Sequence, residues 1–212
     1  WRSEMMSRLF QFLSILLASV VLAACETTAP VTSGSAASMN YIANSPARVY
    51  ISLAQAYSQK GQLDSAMSNA DKVVSLDPAN PRAHAIFAHV SERLGDYSAA
   101  ARHFETARAL AANDPFVQGF YGLHLCGKGH YAAADREFAM AATSHLNRAP
   151  ETAWLSAGSC YERAGDNEMA RARYRRAYEI NGTPQIVRAL ARVEKKLGNR
   201  RESGRLLRQL DE

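Results

Sequence analysis

The sequence predicts an all-α protein: a right-handed superhelical solenoid of about five helix hairpins, preceded by an export segment and a flexible tether. Three observations carry this. Glycine recurs at Gly61, Gly95, Gly129, Gly165 and Gly198, at intervals of 34, 34, 36 and 33 residues. Small residues recur in register with those glycines. An apolar run near the front stops at a cysteine and gives way to small polar residues. A period of this length marks a unit that cannot bury its own apolar face and must stack on its neighbours.

In chain order the front comes first. Met5 and Met6 are candidate starts, and Arg8 places a positive charge ahead of the apolar run 9–24, whose polar members are Gln11 and two serines. A membrane-crossing helix needs about 20 apolar residues. This run is shorter and ends in small residues, the pattern of a secretory signal. The junction Leu22-Ala23-Ala24-Cys25 resembles the lipobox of bacterial lipoproteins. That resemblance implies cleavage after residue 24 and a covalent lipid on Cys25, with no other cofactor. Glu26 stands where an aspartate would imply inner-membrane retention, so the resemblance implies an outer-membrane anchor facing the periplasm. Residues 25–45 (ETTAPVTSGSAAS within them) are too poor in apolar groups to bury anything and read as the lipidated tether.

From 46 to 212 the repeats organise the chain. Seven residues before each turn glycine stand Ala54, Ala88, Gly122, Gly158 and Ala191; five after it, Ala66, Ala100, Ala134, Ala170 and Ser203. Nine after it come Ala70, Phe104, Phe138, Tyr174 and Leu207, and twelve after it Val73, Ala107, Ala141, Ala177 and Leu210. Small residues let the two helices of a hairpin approach, and the larger residue fills what they leave. The glycine ends the first helix in a left-handed conformation that other residues resist. Pro78 closes the first repeat, Pro81 and Pro115 suit the first turn of the next helices, and Asn80 and Asp114 are candidate N-caps. The pattern resembles the tetratricopeptide repeat (TPR), with units at 47–80, 81–114, 115–148, 151–184 and a partial 185–212. Two extra residues near Ala149-Pro150 lengthen one connection.

Cys126 and Cys160 remain once Cys25 is assigned to lipid. They fall in the last turns of the first helices of adjacent repeats. Behind an export signal they suit a disulfide; as buried free thiols they would act as small apolar residues. The cysteine-bearing segments are the more specific feature. Tyr121, Gly122, Leu125, Cys126, Gly129 and Tyr131, then Asn147, Gly158 and Cys160, resemble the type IV pilus biogenesis and stability lipoproteins, the pilotins of PilF/PilW type. The resemblance extends over the chain beyond the signal segment. It implies a lipoprotein on the inner face of the outer membrane that helps the secretin, the pilus exit channel, to localise and assemble, alongside other pilus assembly proteins. It also implies a disulfide between Cys126 and Cys160. The family commonly has six repeats, whereas this sequence ends within the fifth, so a surface made by a sixth is not assumed.

By TPR register the inner wall of the stack should be lined by Arg48, Ile51, Gln55 and Gln59, then Arg82, Ala85, His89 and Arg93, then Phe116, Gly119 and Leu123, then Leu155 and Ser159. Ile51, Phe116, Leu123 and Leu155 put apolar groups there. They would suit an apolar helix or extended segment of a partner, or they pack between repeats.

Other functions find little support. Gly127-Lys128-Gly129 lacks the spacing of a phosphate loop, and there is no Gly-x-Ser-x-Gly elbow. Ser159 is a poor candidate nucleophile. The six histidines are scattered, with His84 and His89 splayed five apart, so no metal site is expected. The net charge is +5, and residues 163–212 hold 13 Lys/Arg against 7 Asp/Glu. In an exported chain this favours solvated helix faces, lipid headgroups or an acidic partner over nucleic acid. The expectation is a binding scaffold without a small-molecule substrate. Alternatives are a scaffold of another envelope machine, such as a Tad-type pilus or outer-membrane protein assembly, and a regulator of a cell-wall enzyme.

Overall fold

The computed structural model describes residues 46–211. Leu22, Ala23, Ala24 and Cys25, with the tether, lie outside them. The described residues form ten helices in five hairpins: α1 (Pro46–Gln59) with α2 (Leu63–Leu76), α3 (Pro81–Leu94) with α4 (Tyr97–Ala111), α5 (Pro115–Gly127) with α6 (Tyr131–Thr143), α7 (Pro150–Ala164) with α8 (Asn167–Ile180), and α9 (Pro184–Lys196) with α10 (Arg200–Arg208).

Local chemistry sets the boundaries. Prolines open α3, α5, α7 and α9, where a missing N–H costs nothing. Asn80 Oδ1 accepts from the N–H groups of Arg82 (3.0 Å) and Ala83 (3.3 Å), and Asp114 Oδ1 from those of Phe116 (2.8 Å) and Val117 (3.2 Å). Asp96 and Asp166 cap α4 and α8 through one bond each, from the N–H groups of Ala99 (2.9 Å) and Met169 (3.0 Å). Each first helix ends at a glycine with φ between 75° and 88°, which sends the chain back within two or three residues. The fourth hairpin starts at Pro150 and the fifth at Pro184, one residue ahead of the repeat boundaries read from the period.

Within each hairpin the small residues meet face to face. Ala54, Ala66, Ala88, Ala134 and Ala170 are fully buried, and Phe104, Phe138 and Tyr174 fill the gaps. Leu207 is the exception: it is 44% exposed, and Leu206 takes the buried place. The nine-residue α10 ends at Arg208, the residue after Leu207, and no described helix covers its outer face.

The hairpins stack so that α1, α3, α5, α7 and α9 pack in succession, whereas the backbones of the second helices stay further apart and meet through long side chains, as in Arg108–Glu137 and Arg173–Asp135. The first helices therefore form one continuous inner wall. The junction between the second and third hairpins is polar. Arg82–Asp114 (2.9 Å), Glu92–His124 (3.0 Å) and Arg108–Glu137 (4.0 Å) cross it. The next junction is covalent: Cys126 on α5 and Cys160 on α7, both buried, are joined as a disulfide with Cα atoms 5.8 Å apart.

Candidate binding surface

No group of three or more His, Cys, Asp or Glu side chains that could hold a metal is found among the described residues, nor a helix long and apolar enough to cross a membrane. The surface with a definable chemistry is the inner wall.

Two residues expected on it are not there. Ile51 (5% exposed) and Ala85 (fully buried) lie in the core. The cause is the stacking: α3 closes over α1 and α5 over α3. Ile51 thus joins Val73, Ile86 and Val90, and Ala85 joins Ala107 and Val117. The equivalent positions further along, Gly119 and Leu155, stay half-buried.

At the first two hairpins the wall is polar and internally bonded. Arg48 and Gln59 are exposed and Gln55 is half-buried. Arg82 Nε donates to Asp114 Oδ2 at 2.9 Å. Arg93 donates to the carbonyl oxygen and the hydroxyl of Ser58, tying α3 to the end of α1. The His89 ring lies 4.9 Å from that of Phe120, and burial, aided by Arg93, pulls its pKa down to about 4, so it is neutral above that pH.

At the third hairpin the wall is apolar. Phe116 and Phe120 pack at 4.7 Å between ring centroids, and Leu123 is 36% exposed. Beyond it Leu155 leans half-buried against the cores on both sides, and Ser159 is exposed.

At the far end the wall is cationic. One face of α9 is buried through Ile186, Val187, Leu190 and Val193; the other carries Arg188, Arg192, Lys195 and Lys196, all exposed. Glu162 of α7 receives Arg192 (Nε–Oε1 and Nη2–Oε2, both 2.8 Å), Lys196 (Nζ–Oε1 2.7 Å) and the Tyr174 hydroxyl (2.9 Å). The Arg192 hydrogen bonds, followed by those of Lys196 and Tyr174, outweigh burial and hold the Glu162 carboxyl at about 2. A depressed carboxylate stabilises the fold above its ordinary range, and that contribution is lost as pH falls from 4.5 towards 2. Thermal melts across this window should show the loss, and Glu162→Gln should remove that part of the slope. An unchanged slope in the variant would place the effect elsewhere.

The sequence reading missed Phe120, Glu162 and the α9 stripe. The last was within reach, since Arg188, Arg192 and Lys196 continue the spacing used for the earlier helices.

Comparison with known proteins agrees with this geometry. The family model for the tetratricopeptide repeat matches residues 47–80 and 151–184. No curated protein sequence matches significantly. Among solved structures, PilF of Pseudomonas aeruginosa is similar at a TM-score of 0.61 and 20% identity, covering 76% of this chain and 72% of that one. PilW, described as a widely conserved type IV pilus biogenesis factor, gives 0.62 and 22%, covering 78% and 76%. A thermophilic TPR protein of Thermus thermophilus gives 0.61 and 21%, covering 77% and 89%. Likeness at this identity establishes the fold. The described residues, two of whose hairpins match the repeat by sequence, fold as a tetratricopeptide-repeat solenoid.

Proposed function

We propose that this protein is an outer-membrane lipoprotein acting as a pilotin for type IV pilus biogenesis and stability. Lipid at Cys25 tethers the stack to the periplasmic face of the outer membrane. The inner wall holds a segment of the secretin there and raises its local concentration where subunits assemble. It works by binding and not by catalysis.

The observation that carries the reading is the disulfide between two first helices of the wall. A buried bridge of this kind suits an oxidising compartment. It joins the two segments whose residues resemble the pilotins, and the fold is similar to PilF and PilW.

The full oxidised chain, purified in nonionic detergent, should retain the cognate secretin in a pull-down. Cys25→Ser should still bind it while losing outer-membrane placement. An oxidised, folded protein that ignores the secretin would end the reading. Co-purification with components of a Tad-type pilus or of outer-membrane protein assembly would replace it with one of those machines.

A further inference from the structure

The inner wall changes chemistry along its length, and the change specifies a ligand. Its centre is apolar at Phe116, Phe120 and Leu123, the two rings half-buried and flanked by Arg82 and His89, whereas the α9 end presents Arg188, Arg192, Lys195 and Lys196 in one stripe. On the neighbouring helix α7 the same face adds Arg163, and Glu162 is its carboxylate. Glu162 is already shared between Arg192 and Lys196. Arg188 and Lys195 have no ion-pair partner among the described residues. The wall thus has an apolar step followed by a surplus of positive charge.

Gly119 supplies a second observation. It sits mid-helix in α5 between Phe116 and Leu123, where glycine is a poorer helix former than alanine. A Cβ there would meet nothing within 4 Å. Packing does not require this glycine, in contrast to Gly122 and Gly158, whose added Cβ would strike the Phe138 and Tyr174 rings. Gly119 leaves a notch beside two phenylalanines, open to the wall.

We propose that the wall binds a protein segment carrying a large apolar side chain and, about five or six residues along an extended chain, a cluster of carboxylates. The spacing follows from the helices: α5 and α9 are two steps apart, each step about 8–10 Å, and an extended chain rises about 3.3 Å per residue. The apolar side chain enters the Gly119 notch against Phe116 and Phe120, and the carboxylates meet Arg188, Arg192 and Lys195. A protein segment fits better than a lipid surface, because the stripe lies in line with an apolar step on the wall of first helices. This deepens the pilotin reading by stating what the bound segment must look like, and it rests on that reading only for the partner's identity.

The test uses fluorescein-labelled synthetic peptides with the full oxidised chain in detergent, read by anisotropy. One peptide carries a Leu-Phe pair, a five-residue Ser/Gly spacer and three aspartates. The controls change the aspartates to asparagine, or the Leu-Phe pair to serine. Each control should bind about tenfold more weakly or worse. Arg188→Glu with Lys195→Glu should give a similar loss with unchanged helicity. Gly119→Leu should weaken binding without lowering the melting temperature. Equal binding of the asparagine peptide, or indifference to either variant, would overturn the proposal. So would binding of phosphatidylglycerol vesicles, but not of the peptide, that the charge reversal abolishes. If the secretin is retained regardless of Arg188→Glu with Lys195→Glu, this inference fails and the pilotin reading stands. If the peptide binds as expected and the secretin is ignored, the reverse holds.

Discussion

Changing Cys126 and Cys160 together to alanine is expected to destabilise the domain by about 3–4 kcal/mol, the loop-closure entropy of a cross-link of this span. The bridge closes a separation of 34 residues. For a domain of this size the loss is a fall in melting temperature of roughly 10 °C. Both cysteines are buried in the core of the third and fourth hairpins. Alanine keeps those sites apolar, whereas serine would add the cost of buried hydroxyls, so the serine pair should melt lower still. Melts of the wild type with and without reductant provide the comparison. Reduced wild type should match the alanine pair to within a few degrees. Melts that coincide in all three would mean the bridge contributes nothing to stability and serves some other end. Because the bridge joins two helices of the inner wall, reductant should also weaken retention of a bound partner.

Gly158→Ala carries the second large effect. A Cβ at Gly158 would stand 2.4 Å from Cδ1 and 2.5 Å from Cε1 of Tyr174. The ring has no room to retreat: Tyr174 is 1% exposed, and its hydroxyl is fixed to Glu162 at 2.9 Å. Overpacking of this kind costs about 1–3 kcal/mol, and alanine's better helix propensity offsets only about 1 kcal/mol of it. Gly122→Ala should cost less. Its Cβ would stand 2.8 Å from Phe138, a ring with no hydroxyl to anchor it. Tyr174→Leu in the Gly158→Ala background should recover part of the loss by restoring space, although it gives up the bond to Glu162. Melting temperatures of the three variants test the order. A Gly158→Ala protein as stable as the wild type would show that the ring moves freely.

These two predictions also mark what the sequence could and could not reveal. The period was legible because it is enforced at every hairpin by sterics. Only glycine tolerates the turn, and only small residues fit where helices cross. Glycine at the crossing faces the Phe138 and Tyr174 rings in the third and fourth hairpins, whereas the second hairpin pairs Ala88 with Phe104 in the same register, so the ring alone does not set the choice between glycine and alanine. The wall was harder to read. Register says which residues point towards it, but not which of those the next helix will cover. Ile51 and Ala85 share a register position with Arg188, and the first two are buried while the third is exposed. That outcome depends on the side chains of the following hairpin, Phe116 and Phe120 above all, which sit more than 30 residues away from Ala85. Leu207 shows the same dependence at the other end, where no described helix completes its surroundings.

The covalent link between α5 and α7 has a mechanical consequence. Suppose the chain were held at its front and drawn by something seated on its wall. Tension would travel through hairpins that otherwise peel apart one at a time. Across the interval from Cys126 to Cys160 it would run through sulfur instead of backbone. The enclosed stretch, roughly 110 Å of chain if drawn straight, could not be let out. Unravelling from either side would stop at that clasp, so α6 and the part of α7 ahead of Cys160 would be the last to give up their shape.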